Sequence, residues 1–306
     1  MSTLSVHLAN YLKLRRQLGF KLRVPSSLLR SFVLFAGQRG HRWITRKLAL
    51  LWATHPPQIS PVQAANRLGM VRRFASYLSA VDPRTEVPPL GLLPCPIRRR
   101  VPYLFQEQEV RTWFQAARQD GSFHGVTCST LFGLLATTGM RVGEALSLNR
   151  ENFNWKEGLV TIRCAKGNRH RTIPLHHSTV GALQQYGRLR DGVCPHPPGG
   201  SFFVTAKGLA LPYNTVNDWF VQLRGQMGWR GDSDQRRPRL HDLRHYFAIR
   251  TLLNWYRSNT DVEKQLPLLA TYLGHVHVRD TYWYLSAAPE LLAAAAARWQ
   301  QRERKR

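Results

Sequence analysis

The chain has 306 residues (35.2 kDa), 43% of them apolar and 10% aromatic, which is enough for a sizeable core and excludes a disordered chain. Its longest apolar runs, Leu48–Ala53 and Leu131–Ala136, reach about a third of a membrane span, which argues against a transmembrane protein. The 44 basic and 18 acidic residues leave a charge of +26, and the first 100 residues hold 17 basic residues against two acids, Asp82 and Glu86. So long an acid-free stretch calls for a polyanionic partner, with nucleic acid first in line. The acid-poor zone is too long and too regularly patterned for a transit peptide, and positive charges follow the first apolar residues, so no secretory leader is expected. The cysteines, Cys95, Cys128, Cys164 and Cys194, have neither zinc-site nor disulfide-framework spacing, which fits a reducing, cytoplasmic compartment.

In chain order, residues 1–82 read as a small domain of four helices with arginines on its outside. Leu4, Leu8 and Leu12 form one apolar stripe, Leu28, Phe32 and Phe35 a second, and Ile44, Leu48 and Leu51 a third with Thr45 as a cap. Ser60-Pro61 starts the fourth helix, a cap followed by proline at the first helical position, and Leu68, Val71, Ala75 and Leu78 line its inner face. Residues 83–101, with five prolines and Arg98, Arg99 and Arg100, read as an extended basic linker. Residues 102–306 form the second domain. A helix runs through Val110, Trp113, Phe114 and Ala117, and Leu131–Ala136 lies in a helix buried on all sides. A hairpin follows, with strands Leu159–Arg163 and Thr172–Leu175 around a Gly-Asn turn. The remainder is mostly helical and ends in an alanine-rich helix, Leu291 to Arg298. The fold expected is mainly α with a small β-hairpin. Arg15, Arg16, Arg67, Arg72, Arg73, Arg98, Arg99, Arg100 and Arg169 are the candidate DNA contacts.

Four local patterns bear on chemistry, and each has a bland reading beside the functional one. In Thr138-Gly139-Met140-Arg141-Val142-Gly143-Glu144, Arg141 follows a glycine turn after the buried helix. It either awaits a bidentate anionic partner or pairs with Glu144 three residues on. Lys166, on the hairpin tip, either reaches a ligand or is simply solvated. His241 and Arg244 share a helix face, which sets a proton-transfer group beside a phosphate-binding fork, or else they belong to an ordinary polar helix start. Gly274 reads as a helix C-cap, with His275 following and Tyr284 nine residues after it; in the bland reading His275 satisfies the last helix carbonyls and Tyr284 is a core aromatic. Tyr282 and Trp283 are neighbouring aromatics.

Taken in order, these boxes resemble the tyrosine recombinases, or phage-type integrases, over nearly the whole chain. The family's arginine box is similar to Thr138–Glu144, and its hairpin lysine with a following arginine and Ile-Pro-Leu to Lys166, Arg171 and Ile173-Pro174-Leu175. Its H-x-x-R box is similar to His241 and Arg244, and its Leu-Gly-His box with a later tyrosine to His275 and Tyr284. The resemblance implies a helical core-binding domain joined to an α+β catalytic domain. It also implies a catalytic set of Arg141, Lys166, His241, Arg244, His275 and the nucleophile Tyr284, with Glu144 supporting Arg141. Tyr282 is the rival nucleophile, and the nine-residue spacing favours Tyr284. The segment Leu253–Leu273 and the sequence Asp280–Leu285 are similar to the subgroup encoded in clusters of three recombinases in mobile elements, which implies companion recombinases.

By that resemblance Arg141 and Arg244 bind the non-bridging oxygens of a DNA phosphodiester, with His275 adding a hydrogen bond. A tyrosine hydroxyl, ordinarily near pKa 10, needs a base, and His241 is the candidate; Lys166 protonates the departing 5′ oxygen. The product is a 3′-phosphotyrosine link that retains the phosphodiester energy. Rejoining then requires no ATP and no metal, in keeping with the absence of a P-loop or an acidic cluster. The family also implies two protomers per site, a four-protomer synapse and a C-terminal helix that docks on a neighbour. Two other outcomes share these residues: DNA relaxation by a type IB topoisomerase, and DNA binding without chemistry.

Overall fold

The computed structural model describes residues 3–95, 102–119, 121–163, 170–195, 197–229 and 237–303. Two compact units emerge, Met1–Arg100 and Val101–Arg306.

The first unit is built on four helices, α1 (Thr3–Gln17), α2 (Arg23–Gln38), α3 (Arg46–Ala53) and α4 (Pro61–Leu78). Thr45 caps α3 by accepting from the Leu48 amide at 3.2 Å, and Ser60 caps α4 from the Gln63 amide at 3.3 Å. Each cap contributes about 1 kcal/mol by satisfying a donor that the helix leaves orphaned. Leu4, Leu8, Leu12, Phe32, Leu48, Trp52, Leu68, Val71, Phe74, Ala75 and Leu78 form the core. Two stripes differ from the expected ones. On α2, Leu29, Val33 and Ala36 are buried beside Phe32, while Leu28 and Phe35 only flank the core. On α3, Leu51 faces outward, and Ala49 and Trp52 are buried instead. On α3 the large Trp52 ring takes the inward place, while on α2 Phe32 is buried as its spacing predicts; the two rings meet edge to face at 5.4 Å. The start of the expected linker is not free chain. Thr85 and Pro88 are buried, the Glu86 amide donates to Ile44 O, and the Glu86 carboxylate accepts from the Arg46 amide, both at 2.8 Å. Arg98, Arg99 and Arg100 lie outside the described residues.

The second unit begins with α5 (Glu107–Gln119) and α6 (Phe123–Thr138). Helix α6 is apolar nearly all round and correspondingly buried, with Phe132 stacked on Trp113 at 4.6 Å. The short α7 (Val142–Ala145) and a 3-10 turn (Arg150–Asn152) lead to an antiparallel sheet of β1 (Phe153–Asn154), β2 (Leu159–Arg163) and β3 (His170–Pro174) in the order β1-β2-β3. The register pairs Leu159 with Pro174, Val160 with Ile173 and Ile162 with Arg171. Strand β3 therefore starts two residues before the expected Thr172. Leu175 lies just past its end, its amide donating to Gly158 O at 2.7 Å. Among the described residues six helices complete the unit: α8 (His177–Val193), α9 (Tyr213–Gln226), α10 (Asp242–Arg257), α11 (Val262–Leu273), α12 (Arg279–Ala287) and α13 (Pro289–Glu303).

The start of α13 packs on its own chain. Leu291, with Ala288 just before the helix, is buried in a cluster with Ala248, Leu252, Leu269 and Tyr284, and Arg298 donates to Thr260 O (2.5 Å) and Asn259 O (3.2 Å). Leu292 and Trp299 face outward. No helix among the described residues is long and apolar enough to cross a membrane.

Candidate active site

The site forms where two helix C-termini meet the first turn of α10. Helices α6 and α11 both end on a glycine in the left-handed region, Gly139 (φ 61°) and Gly274 (φ 69°). Both positions exclude a side chain. A Cβ would lie 2.5 Å from a Phe247 ring carbon at Gly139, and 2.5 Å from Arg171 Nη1 at Gly274. A helix C-terminus carries unpaired carbonyls and partial negative charge, which suits a cation. Arg244 fills this role twice, donating from Nη1 to Gly139 O (2.8 Å) and from Nη2 to Leu273 O (2.7 Å), and it is only 2% exposed. Burial, and then the charge of Arg141, lower its pKa to about 10, while Tyr284 and Glu144 oppose the shift. It stays cationic at neutral pH.

Arg141 is the N-cap of α7 and lies half exposed. It donates from Nη1 to Glu144 Oε1 (2.9 Å), from Nη2 to Gly274 O (3.2 Å), and from its backbone amide to Glu144 Oε2 (2.9 Å). The local pairing with Glu144 is thus real, and it coexists with a placement beside Arg244. Glu144 also accepts from Arg171. Burial alone would push its carboxyl up, but the bonds from Arg171 and the Arg141 amide outweigh burial and hold it below the usual carboxylate range.

His241 occupies the N-cap position of α10 at the exposed rim, without a side-chain capping bond. Desolvation on its inner side, then the Arg244 charge, hold its imidazole below the ordinary value, so it is neutral at pH 7 and able to accept a proton. Its ring meets the His245 ring edge to face at 5.0 Å, and His245 meets the Tyr284 ring at 5.4 Å. Tyr284, on α12, is 2% exposed, with Trp283 at 5.6 Å and the His275 ring stacked at 6.2 Å. Tyr282, two residues away and hence on another face, is 49% exposed. The His275 ring is fixed by a 2.8 Å hydrogen bond between Nδ1 and Oγ1 of the buried Thr281.

Arg141, Glu144, Arg244, His275 and Tyr284 therefore share one cluster, with His241 at its edge. Lys166 and Arg169 lie outside the described residues. In the first unit, Arg16 and Arg73 are exposed and Arg15 and Arg72 half-buried. Arg67 is less free than a surface cation: it lies over Trp52 at 4.0 Å and donates to His55 O at 2.6 Å. Sequence reasoning missed His245 and Thr281 as parts of the site and matched Arg171 to the hairpin box without giving it a role. His245 carried a signal, since it lies one helical turn beyond His241 on the same face. Arg171 carried one too, since it alternates with Ile173 on the inward face of β3. Thr281 had none.

Guanidiniums held at helix ends lie near a buried tyrosine in a helical unit with a small antiparallel sheet, an arrangement chemically able to hold an anion such as a phosphodiester beside a hydroxyl nucleophile, as a DNA strand transferase requires. Residues 104–290 match the phage integrase family, and the chain belongs to it. A protein of Sinorhizobium fredii described as an integrase/recombinase, y4rB, is 40% identical, with 99% of this chain and 98% of that protein aligned. The tyrosine recombinase XerC of Pseudomonas fluorescens is 28% identical over 80% of this chain and 76% of its own length. Among solved structures, the Tn1549 transposon integrase in complex with a circular intermediate DNA shares the fold at a TM-score of 0.67 and 14% identity, covering 98% of this chain and 99% of that one. The chain is a tyrosine-type site-specific DNA recombinase.

Proposed function

We propose that Tyr284 is the nucleophile of strand exchange and that Arg141, Lys166, His241, Arg244 and His275 complete the catalytic set. One observation carries this reading: Tyr284, and not Tyr282, is buried in the cluster that holds Arg244 on two helix C-termini. A guanidinium has five N–H donors. Arg244 commits two to carbonyls, which fixes the plane of the guanidinium, and in this reading its other donors serve the phosphate, as electrostatic preorganisation requires. In the reaction the Tyr284 oxygen bonds to phosphorus, its proton passes to neutral His241, and the P–O5′ bond breaks as Lys166 protonates the departing oxygen. Arg141 and Arg244 offset the charge on the non-bridging oxygens, with a further hydrogen bond from His275, while Glu144 supports Arg141. Reversal by another 5′ hydroxyl rejoins the strand.

The substrate is double-stranded DNA, bound by two protomers per site and four per synapse, with companion recombinases in the exchange. This would place the enzyme at the bacterial nucleoid. The basic first unit and the linker arginines supply phosphate contacts. Residues 1–82 act as the core-binding domain, 83–101 as the connection, and 102–306 as the catalytic domain, whose C-terminal helix meets a neighbouring protomer through Leu292 and Trp299. The test is a denaturant-resistant protein–DNA adduct, selected by the wild-type chain from a randomised duplex library. Tyr284→Phe should abolish it and Tyr282→Phe should keep it. An adduct that survives in Tyr284→Phe overturns the assignment.

A further inference from the structure

The two partners that hold Arg141 are the Glu144 carboxylate and the Gly274 carbonyl, and a third arginine touches both residues. Arg171 lies on β3 opposite Ile162, on the strand face that buries Ile173. A charge on that face must find a partner inside the unit. Arg171 takes the bidentate position on Glu144, with Nη2 on Oε2 at 2.7 Å and Nη1 on Oε1 at 3.1 Å. Its guanidinium rests on the backbone of Gly274, so closely that a Cβ there would come within 2.5 Å of Nη1. The Arg141 side chain is left with a single bond to Oε1.

We propose that Arg171 is the positioning residue of Arg141: by occupying the fork of Glu144 and backing the Gly274 turn, it keeps Arg141 from closing into its own bidentate pair with Glu144. Fork-to-fork pairing is the preferred geometry of a guanidinium and a carboxylate, and it consumes two donors on one edge. Arg171 satisfies that preference in place of Arg141. One carboxylate thus serves two guanidiniums unequally, and the unequal share leaves Arg141 donors facing the phosphate. The inference rests on Arg141 being a phosphate-binding residue, as read above.

The experiment measures the rate of adduct formation on the duplex selected by the wild-type chain, using full-length Arg171→Gln, Arg171→Lys, Glu144→Gln and the double variant Arg171→Gln/Glu144→Gln. Arg171→Gln is expected to slow the adduct about 100-fold, the scale of a misplaced catalytic group, with DNA affinity retained. Arg171→Lys, with a point charge in place of a fork, should fall between it and wild type. Removing the carboxylate that traps Arg141 should reverse part of the loss, so the double variant should run about tenfold faster than Arg171→Gln alone. A merely structural defect would not be relieved by a second change. A wild-type rate in Arg171→Gln, or a double variant no faster than that single one, overturns the proposal. So does failure of every variant at position 171 to fold, which would make the residue a determinant of the fold. Arg141→Ala and Tyr284→Phe run alongside. If they keep the adduct, the site reading itself fails; if they lose it and Arg171→Gln does not, only this inference fails.

Discussion

In the first unit, arginines lie over aromatic rings near the surface: Arg15 over Phe20 at 3.8 Å, Arg39 over Phe35 at 3.7 Å and Arg67 over Trp52 at 4.0 Å. In the second, Arg244 and Arg190 are buried and each gives donors to protein oxygens. Arg244 binds two helix-end carbonyls, and Arg190 binds Asp191 and Phe202 O. A ring supports the flat stem of an arginine and leaves its N–H edge to water or phosphate, with little geometric demand. A carbonyl cage fixes the plane of the guanidinium and excludes water from it. The first use suits affinity, which depends on how many charges face the DNA. The second suits chemistry, which depends on where each donor points.

This contrast is best broken at Arg244. Arg244→Ala leaves the Gly139 and Leu273 carbonyls without their donor, and should cost about 3 kcal/mol of stability, read from chemical unfolding. It should also slow adduct formation on the order of 100- to 1000-fold at saturating DNA. A variant with normal stability and a slow adduct would show that the cage is not structural. A pH profile gives a smaller effect. Because His241 is held below its ordinary value of about 6.5, the adduct rate should be level between about pH 7 and 8 and fall only at pH values below that ordinary value, as the base takes up a proton. Stability should drop in the same direction: the unfolded chain binds that proton first, so folding loses free energy as pH falls through about 6.5. A rate that rises on acidification would remove His241 as the base. The smallest effect belongs to the first unit. Arg73→Ala should weaken DNA binding a few-fold and lower the slope of log affinity against log salt by about 0.9, with the adduct rate at saturation unchanged. A slower adduct at saturation would place Arg73 nearer to the chemistry than its exposure allows.

Legibility in the sequence followed the range of each interaction. The four helices of the first unit, the caps at Thr45 and Ser60 and the buried α6 were all readable, because each signal spans a turn or two of chain. The hairpin was readable as a hairpin, while the start of β3 was not, since pairing partners rather than composition set where a ladder begins. Burial of Trp52 in place of Leu51 on α3, and of Leu29, Val33 and Ala36 beside Phe32 on α2, turned the inner faces from the apolar stripes that spacing alone suggested. The boxes around Arg141, His241, Arg244, His275 and Tyr284 were visible as short patterns. Nothing local showed that Glu144 would be shared with Arg171, 27 residues on.

The sequence by itself determined the basic first unit, the helical periodicity, the two glycines that end α6 and α11, and the residue types of the site. The tertiary structure decided their relations. It set Arg244 against a carbonyl 105 residues away, buried Tyr284 and exposed Tyr282, and laid the start of α13 on its own α10. The physical reason is that a helix face or a cap is fixed by neighbours within about four residues. A buried cation is stable only where distant carbonyls and carboxylates converge on it, and packing alone brings them there.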